Sequence, residues 1–365
     1  MRRTALALGL VVIACSTRSP RFPGTTPPTR ARVDADRAIR VLVSSDTAGL
    51  ALRSREGGFA TLNGKRYRGD LYVAGGPSAA IIVNRLPLED YLRSVVAAEM
   101  GNRPRGDSAA LQAQAIASRS YAYVRLGSSG DFDIRATVAD QVYRGVDGEN
   151  ANANAAVDAT RGLVLLYQTR VVDAMYFSTC GGSTAEPTEV YRSGSVPYLQ
   201  RVSDRVGTSA RYYCEAAPRY RWTRAFTRFE LQSALDQYLK AYTAVPEGGP
   251  GSARHVAVVS STPSGRVGAL EVETDRGVFS VRGNDIRYVL RPPGGEILSS
   301  TYFSVEPEYG RDGLITRVTF HGRGYGHGVG MCQWGAIGRA RAGQSFRSIL
   351  GTYYPGTTIG VPPVQ

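Results

Sequence analysis

Apolar and polar positions first alternate in short runs and then change period. Residues 39–43, 71–74 and 80–84 are β-type runs separated by glycine-containing turns, which predicts a β-rich part over residues 37–85. From Leu88 the spacing becomes helical: Pro87 suits a first turn, Glu89 and Asp90 complement the helix N-terminus, and Gly101 can end the helix. Asp107 is a candidate N-cap for an alanine-rich helix over residues 108–125. Turn and β signals dominate residues 137–205, apart from a helix at 151–160. Another helix is expected over 228–242, followed by a Gly/Pro loop at 246–252. Strand patterns return at 256–259, 270–273, 278–281 and 315–320, and a last helix is expected over 345–353. No internal repeat is visible, and the class is α+β, with mixed sheets and a few helices.

Composition narrows this picture. The 42 glycines in 365 residues imply many tight turns, and 42% hydrophobic residues supply a sizeable core, which excludes wholesale disorder. A net charge of +13, carried almost wholly by arginine, gives a surface that attracts anionic polymers. The N-terminus directs that surface away from nucleic acid. Met1-Arg-Arg and an apolar run over residues 5–14 form a leader too short to span a bilayer. It ends Val12-Ile-Ala-Cys15, which resembles a bacterial lipobox with Cys15 as the lipidated residue. An ordinary secretory cleavage site beside an incidental cysteine is the alternative. Either reading exports the chain. The lipobox would anchor it to an envelope membrane facing the periplasm, with residues 16–36 and their four prolines as a tether. In an oxidising compartment a Cys180–Cys214 disulfide is expected, with Cys332 free. Zinc is not expected, since only His255, His321 and His327 remain to complete a ligand set, and no cofactor is implied.

Two local features carry candidate chemistry. With Leu88 at 0°, successive steps of about 100° place Leu92, Val95 and Glu99 each within about 40° of it. Glu99 thus lies in the apolar stripe, while Glu89, Arg93 and Ala97 turn away. Burial and the nearby helix C-terminus both raise a carboxyl's pKa, as a proton donor near neutral pH requires. A structural acid paired to an arginine of the next helix, such as Arg119, would fit the pattern equally. The second feature is Gly322-Arg-Gly-Tyr-Gly-His-Gly-Val-Gly330, which lacks the spacing of a phosphate loop. As an extended segment it would present bare glycines on one face and Arg323, Tyr325, His327 and Val329 on the other, a surface suited to a sugar. A close-packed sheet with a satisfied histidine is the alternative.

Residues 86–100 (Leu-Pro-Leu-Glu-Asp-Tyr-Leu-Arg-Ser-Val-Val-Ala-Ala-Glu-Met) and 110–121 (Ala-Leu-Gln-Ala-Gln-Ala-Ile-Ala-Ser-Arg-Ser-Tyr) resemble the signature of the sporulation stage II protein D family. The resemblance continues in order through Asp140-Gln-Val-Tyr-Arg-Gly145, Tyr176-Phe-Ser-Thr-Cys-Gly-Gly182, residues 322–336 and Tyr353-Tyr-Pro-Gly356. It implies a catalytic domain over residues 86–360, with an inserted subdomain around 205–250. Family members include lytic transglycosylases that cut peptidoglycan glycan strands, typically strands stripped of stem peptides, and relatives described as amidase enhancers. The resemblance implies Glu99 as the catalytic acid and Arg119, Gln141, Ser178, Thr184, His327 and Gln333 as contacts to the glycan, to which the polar face of the glycine-rich segment adds Tyr325. Phe177 stands where many relatives have histidine, which argues against carrying a metal over from them.

Four functions follow as expectations. A lyase would use Glu99 as acid and then base, giving 1,6-anhydromuramoyl ends. A hydrolase would need a second carboxylate, at about 5–5.5 Å if retaining; Asp140 is the distant candidate. A non-catalytic module would hold glycan and recruit a cell-wall amidase. A Cys/His peptidase using Cys180 or Cys332 with His327 would need a reactive thiolate.

Overall fold

The structure, a computed structural model, describes residues 37–46, 51–56, 58–76, 79–128, 130–292 and 294–363. The leader, Cys15 and the proline-rich segment lie outside the described residues. In chain order the strands are β1 (Ala38–Ser44), β2 (Leu52–Glu56), β3 (Phe59–Leu62), β4 (Lys65–Tyr67), β5 (Asp70–Ala74) and β6 (Ile81–Pro87). Helices α1 (Leu88–Met100) and α2 (Ser108–Tyr123) follow, then β7 (Ile134–Arg135), α3 (Ala151–Ala159), β8 (Val164–Tyr167), β9 (Arg170–Val171), β10 (Tyr176–Phe177) and α4 (Pro187–Val190). The next segment holds β11 (Arg221–Thr227), α5 (Arg228–Tyr238), β12 (Ala253–Ser261), β13 (Val267–Thr274), β14 (Gly277–Arg282), α6 (Asp285–Val289), β15 (Phe303–Tyr309) and β16 (Ile315–Arg323). The chain closes with β17 (Met331–Cys332), α7 (Gln333–Arg341), α8 (Phe346–Tyr353) and β18 (Thr358–Gly360).

The class is α+β, with several small sheets rather than one large one. Two hydrophobic cores organise it. The first joins the sheet β5-β6-β1-β7 to α1, α2, α3, α7 and α8, so the early strands share their core with the helices that follow. The second is built from β11–β16 with α5 and α6, and runs from Phe226 to Phe320. It extends well beyond residues 205–250, whereas Cys214, Ala217 and Tyr220 pack into the first core. Among the described residues no helix is long and apolar enough to cross a membrane.

Several local expectations change. Asp107 occupies the N-cap position of α2 but makes no capping bond. Its carboxylate instead takes a two-pronged contact from Arg341 at 2.8 and 2.9 Å, tying α2 to α7. Glu89 and Ala97 do not turn to solvent, because α2 and α3 both pack on α1 and cover a second face. Residues 322–330 are not an extended strand with one bare face. After Arg323 the backbone at Gly324, Gly326, Gly328 and Gly330 takes φ of 80°, 113°, 98° and 78°, a conformation favoured by glycine. At Gly330 a Cβ would stand 1.9 Å from the carbonyl oxygen of Met175, so a side chain is excluded by contact as well. The segment is a strap: Gly324 and Gly326 donate to the carbonyls of Tyr220 and Ser299, and Gly328 accepts from the Ala185 N–H. It carries the chain from β16 to the start of α7.

Candidate active site

The last turn of α1 faces the first residue of α7. Leu88, Leu92 and Val95 are buried along the stripe read from the periodicity, and Glu99, at its end, is half-buried. Glu99 Oε1 accepts the Val142 N–H at 3.0 Å, and Oε2 accepts from Gln333 Nε2 at 3.2 Å. Burial pushes this carboxyl above its ordinary pKa, while the Val142 N–H, the Gln333 amide and the field of Arg144 pull it down. No neighbouring carboxylate contributes to the shift, and no cation forms an ion pair with Glu99 among the described residues. The alternative of an acid neutralised by Arg119 therefore fails.

A buried polar layer supports the carboxyl from below. Gln333 Nε2 also reaches Gln114 Oε1 at 3.4 Å, and Gln114 donates to Ser118 Oγ at 2.9 Å. Gln141 accepts from Tyr91 OH at 3.0 Å and donates to Tyr176 OH at 2.9 Å and to the Ser118 carbonyl at 3.3 Å. Burial raises both phenols well above their usual pKa, and the charge of Glu99 adds to it. Both hydroxyls thus stay protonated. Gln114, Ser118, Tyr91 and Tyr176 were missed from the sequence. Gln114 and Ser118 had a signal, since they lie one helical turn apart on the buried face of an alanine-rich helix. Beside the end of α1, the Arg103 guanidinium lies 4.7 Å above the half-buried Trp334 ring.

The structure brings Gln333 to Glu99, sets Gln141 in the polar layer next to Val142, and disposes the other expected contacts elsewhere. Arg119 is 1% exposed and grips Glu89, 6% exposed, through two bonds of 2.8 Å, with Nη1 on the Leu163 carbonyl. Nothing of its guanidinium faces a ligand. Thr184 is fully buried, donating to the Gln200 carbonyl and receiving the Val202 N–H at 2.8 Å. His327 Nδ1 accepts the Val329 N–H at 3.1 Å, so Nε2 carries the proton it gives to the Tyr176 carbonyl at 2.9 Å. Burial pushes its pKa down to about 3, which keeps it neutral, and neither nitrogen is left for a sugar. Tyr325 pairs through its backbone with Thr179, and Arg219 covers its ring at 4.4 Å. Ser178 is half-buried, bonded to Thr179 Oγ1 at 3.2 Å, and its carbonyl anchors the Trp334 N–H.

Asp140, the remote candidate for a second carboxylate, is committed to other partners. Oδ1 accepts from Tyr121 OH at 3.2 Å and Oδ2 from the Arg135 N–H at 2.9 Å. The expected Cys180–Cys214 disulfide is not formed: all three described cysteines are free and buried, with the Cys180 and Cys214 sulfurs 3.3 Å apart. Such burial also removes a thiol nucleophile for a peptidase, and His327 has no nitrogen to activate one.

Comparison with known proteins identifies the family. The family model described as stage II sporulation protein matches residues 78–167, which hold α1, α2 and Gln141. A second model, described as a domain of unknown function, matches residues 207–330. An uncharacterised protein of Brachyspira hyodysenteriae is 31% identical over 314 residues, covering 85% of this chain and 76% of that one. The amidase enhancer of Bacillus subtilis is 30% identical over 68% of this chain but only 38% of its own length. The stage II sporulation protein D of the same organism is 30% identical over 295 residues, covering 76% of this chain and 75% of that protein. With a match of that extent, and with Glu99, Gln114 and Gln141 inside residues 78–167, the chain belongs to the stage II sporulation protein D family.

Proposed function

We propose that the protein is a peptidoglycan lytic transglycosylase in which Glu99 is the single acid and base. The observation that carries this reading is a half-buried carboxyl with a raised pKa, no cationic partner and no second carboxylate acting on it. Protonated Glu99 gives its proton to the oxygen linking N-acetylmuramic acid to N-acetylglucosamine as the bond to C1 breaks. The carboxylate left behind then takes the proton of the muramoyl 6-hydroxyl while that oxygen bonds to C1. The products are a 1,6-anhydromuramoyl end and a free 4-hydroxyl on N-acetylglucosamine, and Glu99 is reprotonated without water entering. The Val142 N–H and the Gln333 amide hold the carboxyl in place and stabilise the charge it carries between the two transfers. Denuded glycan strands are the proposed substrate, and a lipid on Cys15 the proposed anchor holding the domain at the envelope membrane.

A second reading rests on the similarity to the amidase enhancer: a module that holds glycan and stimulates a cell-wall amidase. One experiment separates them. Purified protein and its Glu99→Gln variant are incubated with intact and amidase-stripped peptidoglycan, and the products are read by mass spectrometry. Anhydromuramoyl ends from the wild type alone support the lyase. Reducing ends would mean hydrolysis. Glycan retention by both proteins without cleavage would leave the enhancer.

A further inference from the structure

Away from Glu99, four side chains from separate segments converge in the first core. Cys180, Asp204, Cys214 and Cys332 each bring one ligand atom to within 4.8 Å of the others, and all four are buried. Two of the separations are 3.3 Å: Cys180 Sγ to Cys214 Sγ and Cys180 Sγ to Asp204 Oδ2. A tetrahedral zinc ion with Zn–S bonds of about 2.3 Å needs sulfur–sulfur edges of about 3.8 Å, inside the observed span. We propose that these three cysteines and Asp204 form a structural zinc site that locks the N-terminus of α7.

The surroundings are built for such a site. Asp204 Oδ1 is tied by Tyr353 OH at 2.6 Å and by Arg339 at 3.0 and 3.2 Å, which leaves Oδ2 turned to the sulfurs. Outer contacts of this kind orient carboxylate ligands. Backbone N–H groups point at the sulfurs: Gly182 at Cys180 (3.3 Å), and Cys180 and Gly335 at Cys332 (3.1 and 3.2 Å). The charges close as well. Arg266 is 1% exposed, donates to the carbonyls of Cys180 and Ser183, and has no partner for Nε or Nη1. With three neutral thiols, Asp204 pairs with Arg339, and Arg266 has no ion pair among the described residues and only the field of Glu189. Three thiolates and Asp204 on a zinc ion balance both guanidiniums. With four protein ligands and no opening to solvent, the ion holds structure and offers no catalytic position. Cys332 is the N-cap of α7, and the next residue is Gln333, so the site fixes the amide that contacts Glu99.

The site stands on its own residues, so its failure would leave the reading of Glu99 untouched. The full chain is produced with zinc chloride in the medium, purified without chelator and confirmed folded by circular dichroism. Elemental analysis should then give one zinc per chain, and denaturation with chelator should release Cys180, Cys214 and Cys332 as free thiols. Loading with cobalt(II) should give a thiolate charge-transfer band that Cys332→Ser weakens. In the Cys214→Ser variant zinc affinity should fall by more than about tenfold. Folded wild-type protein without zinc would overturn the proposal, whether peptide mapping found a Cys180–Cys214 disulfide or three free thiols. Because that outcome is read on the wild type, a variant that fails to fold does not rescue it.

Discussion

Two oxygens of one carboxyl decide the chemistry available at Glu99. Burial favours the protonated form, while the Val142 N–H and the Gln333 amide favour the charged one. A general acid must be protonated, so the rate should be flat at low pH and fall as pH rises through a pKa above the usual carboxyl range. Gln333→Ala removes a bond that stabilises the carboxylate. The falling limb should move to higher pH while the plateau drops, measured as anhydromuramoyl release across a pH series. Glu99→Gln should lower the rate by about 10²–10⁴-fold. The same shift has a stability consequence of definite sign. Between the unfolded and folded pKa values the folded state holds the extra proton, so Glu99 destabilises the fold increasingly as pH rises through that window. Glu99→Gln should therefore raise the melting temperature at neutral pH, with the gain vanishing below the unfolded pKa. An equal gain at every pH would show that the carboxyl is not perturbed by burial.

At the scale of elements, Arg119 and Glu89 bind α2 to α1 and, through Gly162 and Leu163, to the turn before β8. Losing one partner of a buried pair strands the other, at about 3–5 kcal/mol. Arg119→Met should cost that much in urea unfolding, and adding Glu89→Leu should recover most of it. A stability loss below about 1 kcal/mol would place the pair nearer solvent than its burial implies. Helical periodicity was enough to put Glu99 on the apolar stripe of α1, because Leu88, Leu92 and Val95 set a face and the acid broke it. It could not place Arg119 or Glu89, since whether a second face of α1 is covered depends on how α2 and α3 pack. The strap shows the same limit. Alternating glycines fit a strand with period two, and only the contacts with Thr179, Phe177, Arg266 and Met175 reveal that Gly324, Gly326, Gly328 and Gly330 are each needed for their φ and their missing Cβ. Gly330→Ala should cost at least about 1–3 kcal/mol from backbone strain alone, read as a lower urea midpoint. It should also reduce activity, because α7 and Gln333 hang on that strap.

Across the whole molecule, the fold class and the strand runs of the β-rich start were legible, because each short run carries its own alternation and turn signals. The extent of the second core was not. Its strand β11 pairs with β16 although β12–β15 lie between them in the chain, and no local pattern marks that pairing. The convergence of Cys180, Asp204, Cys214 and Cys332 was hidden for the same reason. Composition, by contrast, makes a direct statement about association. A net charge of +13 should draw the protein to carboxylate-bearing wall polymer, and much of that attraction is carried by exposed arginines such as Arg144. Exposed charges are screened over about 8 Å at physiological ionic strength. Sugar recognition by hydrogen bonds near Glu99 and by rings such as Trp334, as the proposed function requires, would be screened far less. Binding of the Glu99→Gln protein to purified sacculi should therefore weaken as salt is raised and settle at a salt-resistant remainder. Trp334→Ala should lower that remainder without changing the salt slope. Binding that disappears entirely in high salt would mean that charge alone holds the protein to the wall and that the residues around Glu99 contribute nothing to retention.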